Sequence, residues 1–158
     1  MNSILAWRLC EERWLPKAFS GDGPFRDGGR WNPLRVRVVY CSESRSLAAV
    51  EVLANSRKIV FVPGKRWFLT SITMPMECVD FPSRFPENWS RYPHPIATQE
   101  FGAAWVLSGR SAVLRVPSAV VLGDFNYLLN PAHRDFGRLK RGKPEAFTFD
   151  PRPGIRPD

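Results

Sequence analysis

Short runs of β-branched and aromatic side chains predict most of the strands in this chain. Residues 36–42, with the sequence VRVVYCS, predict a buried strand that places Val36, Val38 and Tyr40 on one face, because side chains alternate along a strand. Further strands are predicted at 59–62, 67–73, 111–117 and 119–122, with a short one at 147–149.

Two segments have the spacing of apolar residues that is typical of a helix. Residues 46–57 predict a helix whose N-terminus is capped by Ser44 or Ser46. Residues 97–109 predict a second helix, because their large apolar side chains recur at helical intervals. The chain from Asn126 onwards is expected to be mostly loop.

Glycines and prolines mark two irregular segments, a loop over 20–29 and an excursion over 75–95. No internal repeat is present, and no linker is long or polar enough to separate two domains. Strands outnumber helices and the two types are mixed along the chain. The sequence therefore predicts a single domain of the α+β class.

The charge of the chain points to an anionic partner. Its 158 residues include 23 lysines and arginines against 15 acidic residues, a formal net charge of +8. Most of these bases are arginines, whose planar guanidinium binds phosphates and carboxylates in a bidentate way. The bases are spread along the chain, with the densest stretch at 134–143, so a soluble surface that is merely rich in arginine explains them equally well.

Three observations concern the compartment. No run of about 18 apolar residues is present, which excludes a transmembrane helix. Charged residues begin at Arg8, too early for the apolar stretch of a secretory signal. The cysteines, Cys10, Cys41 and Cys78, are odd in number and widely spaced, which is typical of reduced thiols in a cytoplasmic protein.

Several common catalytic motifs are missing from the sequence. Neither glycine-rich phosphate-binding loop occurs. The two histidines and three cysteines do not have zinc-ligand spacing, so no metal site is expected. Ser118, His133 and Asp135 contain the side chains of a hydrolase triad, but no G-x-S-x-G turn surrounds the serine.

Glu51 is the most informative candidate for chemistry. It is the only ionisable residue between Ser46 and Asn55, in a helix otherwise made of apolar side chains, and it projects about 40° from Leu47. A carboxylate beside the apolar stripe is partly desolvated unless a cation or a hydroxyl group meets it. Glu51 is therefore either functional or a glutamate that reaches water or pairs with a structural arginine.

Three further side chains stand where a ligand can be held. Arg30 follows a pair of glycines, where a guanidinium binds a phosphate, polarises an amide or simply stacks on the neighbouring tryptophan. Tyr40 lies at the end of a buried strand face, where its ring either forms the wall of a pocket or is part of the core. Ser118 lies at a strand break, where its hydroxyl faces a cleft or satisfies local backbone. With Glu51, this set suits a substrate that carries a pyrophosphate, a flat aromatic group and a sugar.

Five blocks of sequence carry a resemblance to a known family: GGRWN (28–32), VVYCS (38–42), LAAVE (47–51), RVPSAVV (115–121) and LLNPAHRDF (128–136). In this order, the sequence resembles a RES domain, the toxin of RES–Xre toxin–antitoxin modules. The resemblance runs from about Trp7 to Asp150. It predicts that residues 1–158 form a single RES domain, with a core of about 7–150 and a C-terminal tail at 151–158.

The residues that give the family its name fall on Arg30, Glu51 and Ser118. Tyr40 matches the family's active-site tyrosine, and Arg8 matches a further arginine near the start of such domains. The chain departs from the family pattern at two positions: asparagine 55 replaces a histidine that many members carry, and arginine 134 replaces a proline. We expect these departures to alter substrate handling rather than to abolish activity.

The resemblance implies a fold related to ADP-ribosyltransferases, with a mixed β core and flanking helices, and an activity that consumes NAD+ as a substrate without another cofactor. It implies that Glu51 stabilises the ribose as the nicotinamide–ribose bond breaks, since that step passes through an oxocarbenium-like species. Tyr40 would stack on or wall the nicotinamide, Arg30 with Arg8 would bind the pyrophosphate or the carboxamide, and Ser118 would orient nicotinamide or ribose. The acceptor is water, phosphate or a protein side chain.

The resemblance also implies a partner, an Xre-family antitoxin that holds the toxin inactive and docks an acidic segment against its positive charge. No membrane is expected as a partner, and nucleic acid is expected only indirectly, through the antitoxin. Two rival hypotheses remain. One is a basic nucleic-acid-binding protein that uses arginines and tryptophans on phosphates and bases, and the other is an inactive domain that only binds an antitoxin.

Overall fold

A mixed β-sheet forms the framework of the protein in a computed structural model, which describes residues 2–60 and 62–150, apart from the side chains of residues 57–59. Within these residues the strands are β1 (Ser3–Glu11), β2 (Val39–Ser42), β3 (Trp67–Pro75), β4 (Val79–Asp80), β5 (Val113–Pro117), β6 (Phe125–Leu129), β7 (Lys140–Arg141) and β8 (Glu145–Phe147). The helices are α1 (Asp22–Asp27), α2 (Arg45–Val60) and α3 (Ile96–Ser108). Short 3-10 turns lie at 12–17, 76–78 and 136–138.

The sheet has the order β4-β5-β6-β2-β1-β3-β7, and β8 pairs with β3 beside β7. All pairs are antiparallel except β4 with β5. The longest ladder joins β1 to β3 from Ser3↔Pro75 to Glu11↔Trp67. By contrast, β1 meets β2 only at Trp7↔Ser42, so the sheet opens in its middle.

Each face of the sheet carries its own core. One face holds a cluster that includes Ala6, Cys41 and Ile72 and is covered by Phe19 from the segment after the first 3-10 turn. On the opposite face α2 packs over β1 and β3, around Leu69. Beside it, α3 and the loop before β2 pack over β5 and β6. Both helices therefore lie on one face of the sheet, and the space between them is where a site can form.

The predicted α+β class is confirmed, and both predicted helices are present. The loop predicted over 20–29 is partly wrong, because Asp22–Asp27 form the short helix α1. Helix α2 begins at Arg45, and the Ser44 Oγ accepts a hydrogen bond from the Leu47 N–H at 3.0 Å, so Ser44 is the cap. Helix α3 ends at Gly109, whose φ of 63° is the left-handed conformation that favours glycine at this position. The predicted tail at 151–158 lies outside the described residues.

Two predicted strands are wrong. Residues 59 and 60 continue α2, Val62 is in no strand, and residue 61 lies outside the described residues. Residues 119–122 form a turn, because the Ser118 Oγ accepts hydrogen bonds from the N–H groups of Val120 and Val121. Here a local hydroxyl satisfies the backbone donors that a strand would have offered to a neighbour.

Other strands were missed or begin elsewhere. Strands β1, β4, β6 and β7 were not predicted. Strand β4 lies in the predicted excursion over 75–95, and β6 and β7 occupy a segment expected to be mostly loop. Strand β2 begins at Val39 rather than at residue 36, and β8 covers Glu145–Phe147 rather than 147–149. The strands predicted at 67–73 and 111–117 correspond to β3 and β5.

Two chemical features of the described residues bear on the earlier expectations. Cys10, Cys41 and Cys78 are buried and unpaired. No helix in the described part of the chain is both long and apolar enough to cross a bilayer.

Helix α3 approaches the loop before β2 at unusually short range. A Cβ atom added to Gly102 would lie 1.6 Å from the backbone O of Trp31, which is far inside van der Waals contact. Only a glycine allows this approach. The contact fixes α3 against the GGRWN segment, which carries Arg30.

We predict that Gly102→Ala lowers the free energy of unfolding by about 3 kcal/mol or more, because the new methyl group forces α3 away from Trp31. Urea denaturation followed by circular dichroism measures this change. Gly23→Ala in α1 is the matched control, since a Cβ there meets no atom within 4 Å. Equal stability of the two variants would contradict the close packing of α3.

Candidate active site

The centre of the candidate site is the carboxylate of Glu51, which α2 directs towards the sheet. Its Oε1 atom accepts two hydrogen bonds, from the Oγ of Ser118 and from the Nδ2 of Asn126, both at 2.7 Å. Within the described part of the chain no hydrogen bond reaches Oε2. The carboxylate is thus anchored through one oxygen and open at the other.

Ser118 lies at the end of β5 and is fully buried. Its single hydroxyl proton is donated to Glu51, while its oxygen accepts the N–H groups of Val120 and Val121 at 3.2 and 3.0 Å. These contacts use the hydrogen-bonding capacity of the hydroxyl. The structure therefore brings together Ser118 and Glu51, two of the residues predicted for the site. The Ser118 hydroxyl lies on the side of the carboxylate that is anchored to the protein, at Oε1.

Asn126 on β6 contacts the Glu51 carboxylate but was not among the residues predicted from the sequence. It pairs across the sheet with Ser42 of β2, whose Oγ donates to the Asn126 Oδ1 at 2.7 Å. A strand prediction for 125–129 would have revealed it. Alternation puts Asn126 on the same face as Leu128, which packs against the loop that carries Arg30.

Arg30 lies on the same side of the sheet as Glu51. One terminal nitrogen, Nη1, donates to the backbone carbonyls of Trp89 at 2.8 Å and Arg91 at 2.7 Å. Burial lowers the pKa of Arg30, and the nearby Glu51 carboxylate opposes that effect. No protein group in the described residues accepts a hydrogen bond from its Nε or Nη2, so this edge of the guanidinium is available to a ligand.

Tyr40 is packed beneath the GGRWN loop. Its hydroxyl donates to the Asn32 Oδ1 at 2.6 Å and accepts the Trp31 N–H at 3.1 Å. A Cβ on Gly29 would lie 2.6 Å from this hydroxyl, so the loop needs glycine there. Burial raises the pKa of Tyr40 well above its ordinary value. Tyr40 therefore contributes its neutral ring, with a hydroxyl already engaged by the loop.

Two amides hold the loop that presents Arg30. The fully buried Asn32 donates through Nδ2 to the carbonyls of Pro24 and Val36 at 2.8 and 3.0 Å. From α3, the Gln99 Nε2 donates to the Gly29 carbonyl at 3.1 Å. Because these bonds tie the loop to its own ends and to a helix, Arg30 projects from a rigid segment.

Arg8 is not brought to this group. It lies on the other face of the sheet, beside Cys10 and Cys41, and its Nη1 donates to the Tyr40 carbonyl at 3.0 Å while its Nε donates to the Ala18 carbonyl. Strands β1 and β2 diverge here, and the guanidinium satisfies a carbonyl that backbone pairing leaves free. Substrate binding by Arg8 stays a prediction, and its position favours a structural role.

Neither histidine is hydrogen-bonded to Glu51, Ser118 or Asn126. His133 has one ring nitrogen 2.8 Å from the Gly109 carbonyl, and the other accepts the Asp135 N–H, so it does not form a triad with Ser118. His94 is an exposed loop residue whose Nε2 lies 3.3 Å from the Gln99 Nε2, and its pKa is lowered by burial and by the nearby Arg30 guanidinium. The described residues contain no cluster of histidine, cysteine and carboxylate side chains that could hold a metal ion.

Two open clefts lie elsewhere on the described surface, with volumes of about 620 and 440 Å³. Most of the charged groups that line them are ion-paired, as in Arg110–Asp80 in the first and Lys65–Glu11 in the second. Neither cleft is lined by Glu51 or Arg30. The chemistry of the chain is therefore concentrated at the carboxylate site.

Comparisons with known proteins agree with one another. The family model described as RES domain matches residues 5–150. A protein named Prs ADP-ribosylating toxin, from Sphingobium sp. (strain YBL2), is 35% identical over 153 residues, which cover 92% of this chain and 94% of that protein. Toxin Res of Yersinia enterocolitica is 33% identical over 150 residues, covering 94% and 99%.

A solved structure shows the same fold. A chain in the crystal structure of the M. tuberculosis MbcT-MbcA toxin-antitoxin complex superposes with a TM-score of 0.76, covering 93% of this chain and 85% of that one. The two sequences are 19% identical. This similarity supports the mixed-sheet α+β architecture described above.

We predict that Tyr40 makes the protein less stable in alkali. Its pKa is raised in the folded state, so its contribution to the free energy of unfolding is complete below the ordinary value of 10.0 and is lost as the pH rises beyond it. Tyr40→Phe should flatten this decline and, by removing two hydrogen bonds, cost about 1–3 kcal/mol at pH 7.

Chemical denaturation between pH 7 and pH 11 measures both effects. Tyr92→Phe is the matched control, because Tyr92 is 88% exposed. The buried thiol of Cys41, whose pKa is raised to about 12, is present in both variants and cancels in the comparison. The same alkaline slope in both variants would contradict the burial of Tyr40.

Proposed function

The chain belongs to the RES domain family, and from this membership together with the geometry of its site we propose that it is a toxin that breaks the nicotinamide–ribose bond of NAD+. The observation that carries the proposal is the Glu51 carboxylate, anchored through Oε1 and open at Oε2, on the same side of the sheet as the available edge of Arg30. Growth arrest would follow from depletion of NAD+.

The reaction suits a site without a catalytic histidine. Nicotinamide is cationic in NAD+ and leaves as a neutral molecule, taking the electron pair of the glycosidic bond, so no general acid is required. Positive charge then develops on the ribose, as in other glycosyl transfers. A fixed carboxylate oxygen stabilises that charge best when it does not have to reorganise. Glu51 Oε2 is the atom proposed for this role.

The other residues bind and orient the dinucleotide in this proposal. The open edge of Arg30 binds the pyrophosphate or the carboxamide, since its Nη1 is already anchored to backbone carbonyls. The neutral ring of Tyr40 forms a wall for the nicotinamide. Ser118 supports Glu51 from behind, rather than contacting the substrate as the sequence had suggested.

The acceptor divides the proposal into two candidate reactions, the breakdown of NAD+ with water or phosphate as acceptor and the modification of a protein. Water yields ADP-ribose and phosphate yields its phosphorylated form, whereas a protein side chain yields a modified target. The name of the Sphingobium relative, an ADP-ribosylating toxin, supports protein modification as the second candidate. Both reactions break the same bond and make the same use of Glu51.

An antitoxin partner belongs to the same proposal. The structural neighbour is a chain of a toxin-antitoxin complex, which supports an antitoxin as the regulator of this chain. We propose an Xre-family antitoxin that places an acidic segment near the site, in keeping with the net charge of +8. NAD+ and the antitoxin would meet the protein in the cytoplasm.

We predict that Glu51→Gln, which keeps the shape and removes the charge, lowers nicotinamide release from NAD+ by about 100-fold or more. The purified protein is incubated with NAD+ with and without phosphate, and the products are separated by chromatography to identify the acceptor. Glu100→Gln on the exposed side of α3 is the matched control and should keep full activity. Undiminished turnover by Glu51→Gln would overturn the proposal.

A further inference from the structure

We infer that Ser42 and Asn126 form a positioning pair that sets the orientation of the Glu51 carboxylate and leaves its Oε2 for the substrate. This inference rests on the proposed function of the same site. Neither residue was identified from the sequence. Their role follows from where the sheet register places them and from the direction of three hydrogen bonds.

The pair is fixed by the backbone. Ser42 on β2 and Asn126 on β6 lie directly opposite each other in an antiparallel ladder, so their side chains leave the sheet on the same face. That face is covered by α2. Because both residues stand on strands rather than in loops, their separation is set by backbone hydrogen bonds on either side.

Ser42 holds the end of the Asn126 amide that faces away from Glu51. The ionised carboxylate can only accept, so it selects the orientation in which Nδ2 faces it; with the amide reversed, Oδ1 would face a carboxylate oxygen and two acceptors would meet. The Ser42 hydroxyl then donates to Oδ1 at 2.7 Å. Ser42 therefore fixes the amide in its donating position, although it does not itself contact Glu51.

Asn126 restricts the rotation of the carboxylate. The terminal torsion of a glutamate has a broad energy minimum, so one hydrogen bond leaves the group free to turn about it. Glu51 Oε1 instead accepts from Ser118 at the end of β5 and from Asn126 on β6. Two donors on separate elements fix the plane of the carboxylate, and with it the direction of Oε2.

The contacts of Asn126 differ from those of the buried asparagines. Asn32 donates to backbone carbonyls, and the Asn130 Oδ1 accepts the backbone N–H of Ala132 at 3.0 Å. Both of those amides therefore stabilise a loop. The Asn126 amide bonds two side chains, one of them Glu51, and it is only partly buried. Its position is explained by the carboxylate rather than by the fold.

A double-mutant cycle tests the inference. Asn126→Ala should lower kcat for nicotinamide release by about 10- to 100-fold with little change in KM, because a bond to a charged group is lost. Asn126→Asp, which has the same shape but cannot donate when ionised, should be at least as slow. Ser42→Ala should lower kcat by about 3- to 10-fold. In the Asn126→Ala background, Ser42→Ala should have no further effect, because its hydroxyl acts through that amide.

Two controls separate positioning from folding. Ser111→Ala removes another buried, hydrogen-bonded hydroxyl, one that contacts Trp105, and Asn130→Asp changes an amide on the residue that follows β6. Both should keep the wild-type kcat even if their melting temperatures fall. Losses from Ser42→Ala and Asn126→Ala that multiply in the double variant, or a wild-type kcat for Asn126→Ala, would overturn the inference.

The outcome for the proposed function is read separately. If the wild-type protein releases no nicotinamide from NAD+, the proposed reaction is wrong. The same cycle is then scored by growth arrest after expression without an antitoxin, with Glu51→Gln as the reference for the loss of the carboxylate. Non-additive losses in that assay support the positioning pair, and additive losses or none overturn it.

Discussion

The desolvation of one carboxylate is the constraint on which the site depends. A glutamate on a helix face that meets a sheet loses its hydration, and this cost must be offset by donors. The donors come from two different places, the residue after β5 and the second residue of β6. These polar contacts hold helix α2 against two neighbouring strands in addition to its apolar packing. The same hydrogen bonds that offset the partial desolvation of the half-buried glutamate also fix the orientation of its carboxylate.

The arginines of the chain are largely occupied by local structure, which argues against a general polyanion-binding surface. Arg45 pairs with Glu145 at 2.8 Å and Arg138 pairs with Glu77 at 2.5 Å. In the densest basic stretch, Arg141 also stacks on Phe19, with its guanidinium carbon 4.7 Å from the ring centre. Arg30 differs, because it is anchored to backbone carbonyls and its nearby charged partner is Glu51.

The sequence was sufficient for α2 and α3 and for four members of the site, and its failures have physical causes. Strand β1 contributes apolar side chains to the core on both faces of the sheet, so the polar alternation that identifies a strand with one exposed face is missing from Ser3–Glu11. Strand β6 is short and lies between turn-forming residues, which hid it and Asn126 with it. At 119–122 the β propensity of the valines was overridden by the Ser118 hydroxyl, a contact that no propensity includes. Arg8 matched a position of the family pattern. The register of strand β1 decides on which face of the sheet its side chain lies, and that register was not predicted from the sequence.

The hydrogen bonds of Ser118 divide the residues of the site into two roles. Its hydroxyl has one proton, given to Glu51, and its oxygen already accepts two backbone N–H groups, while the side chain is fully buried. A substrate could bind Ser118 directly only by breaking the bond that holds Glu51 in place. The Nε and Nη2 of Arg30 and the Oε2 of Glu51, by contrast, have no hydrogen-bond partner within the described residues. In the proposed reaction, recognition of the dinucleotide therefore falls to the open side of the carboxylate. Ser118, Asn126 and Ser42 act from the closed side by keeping that oxygen in place.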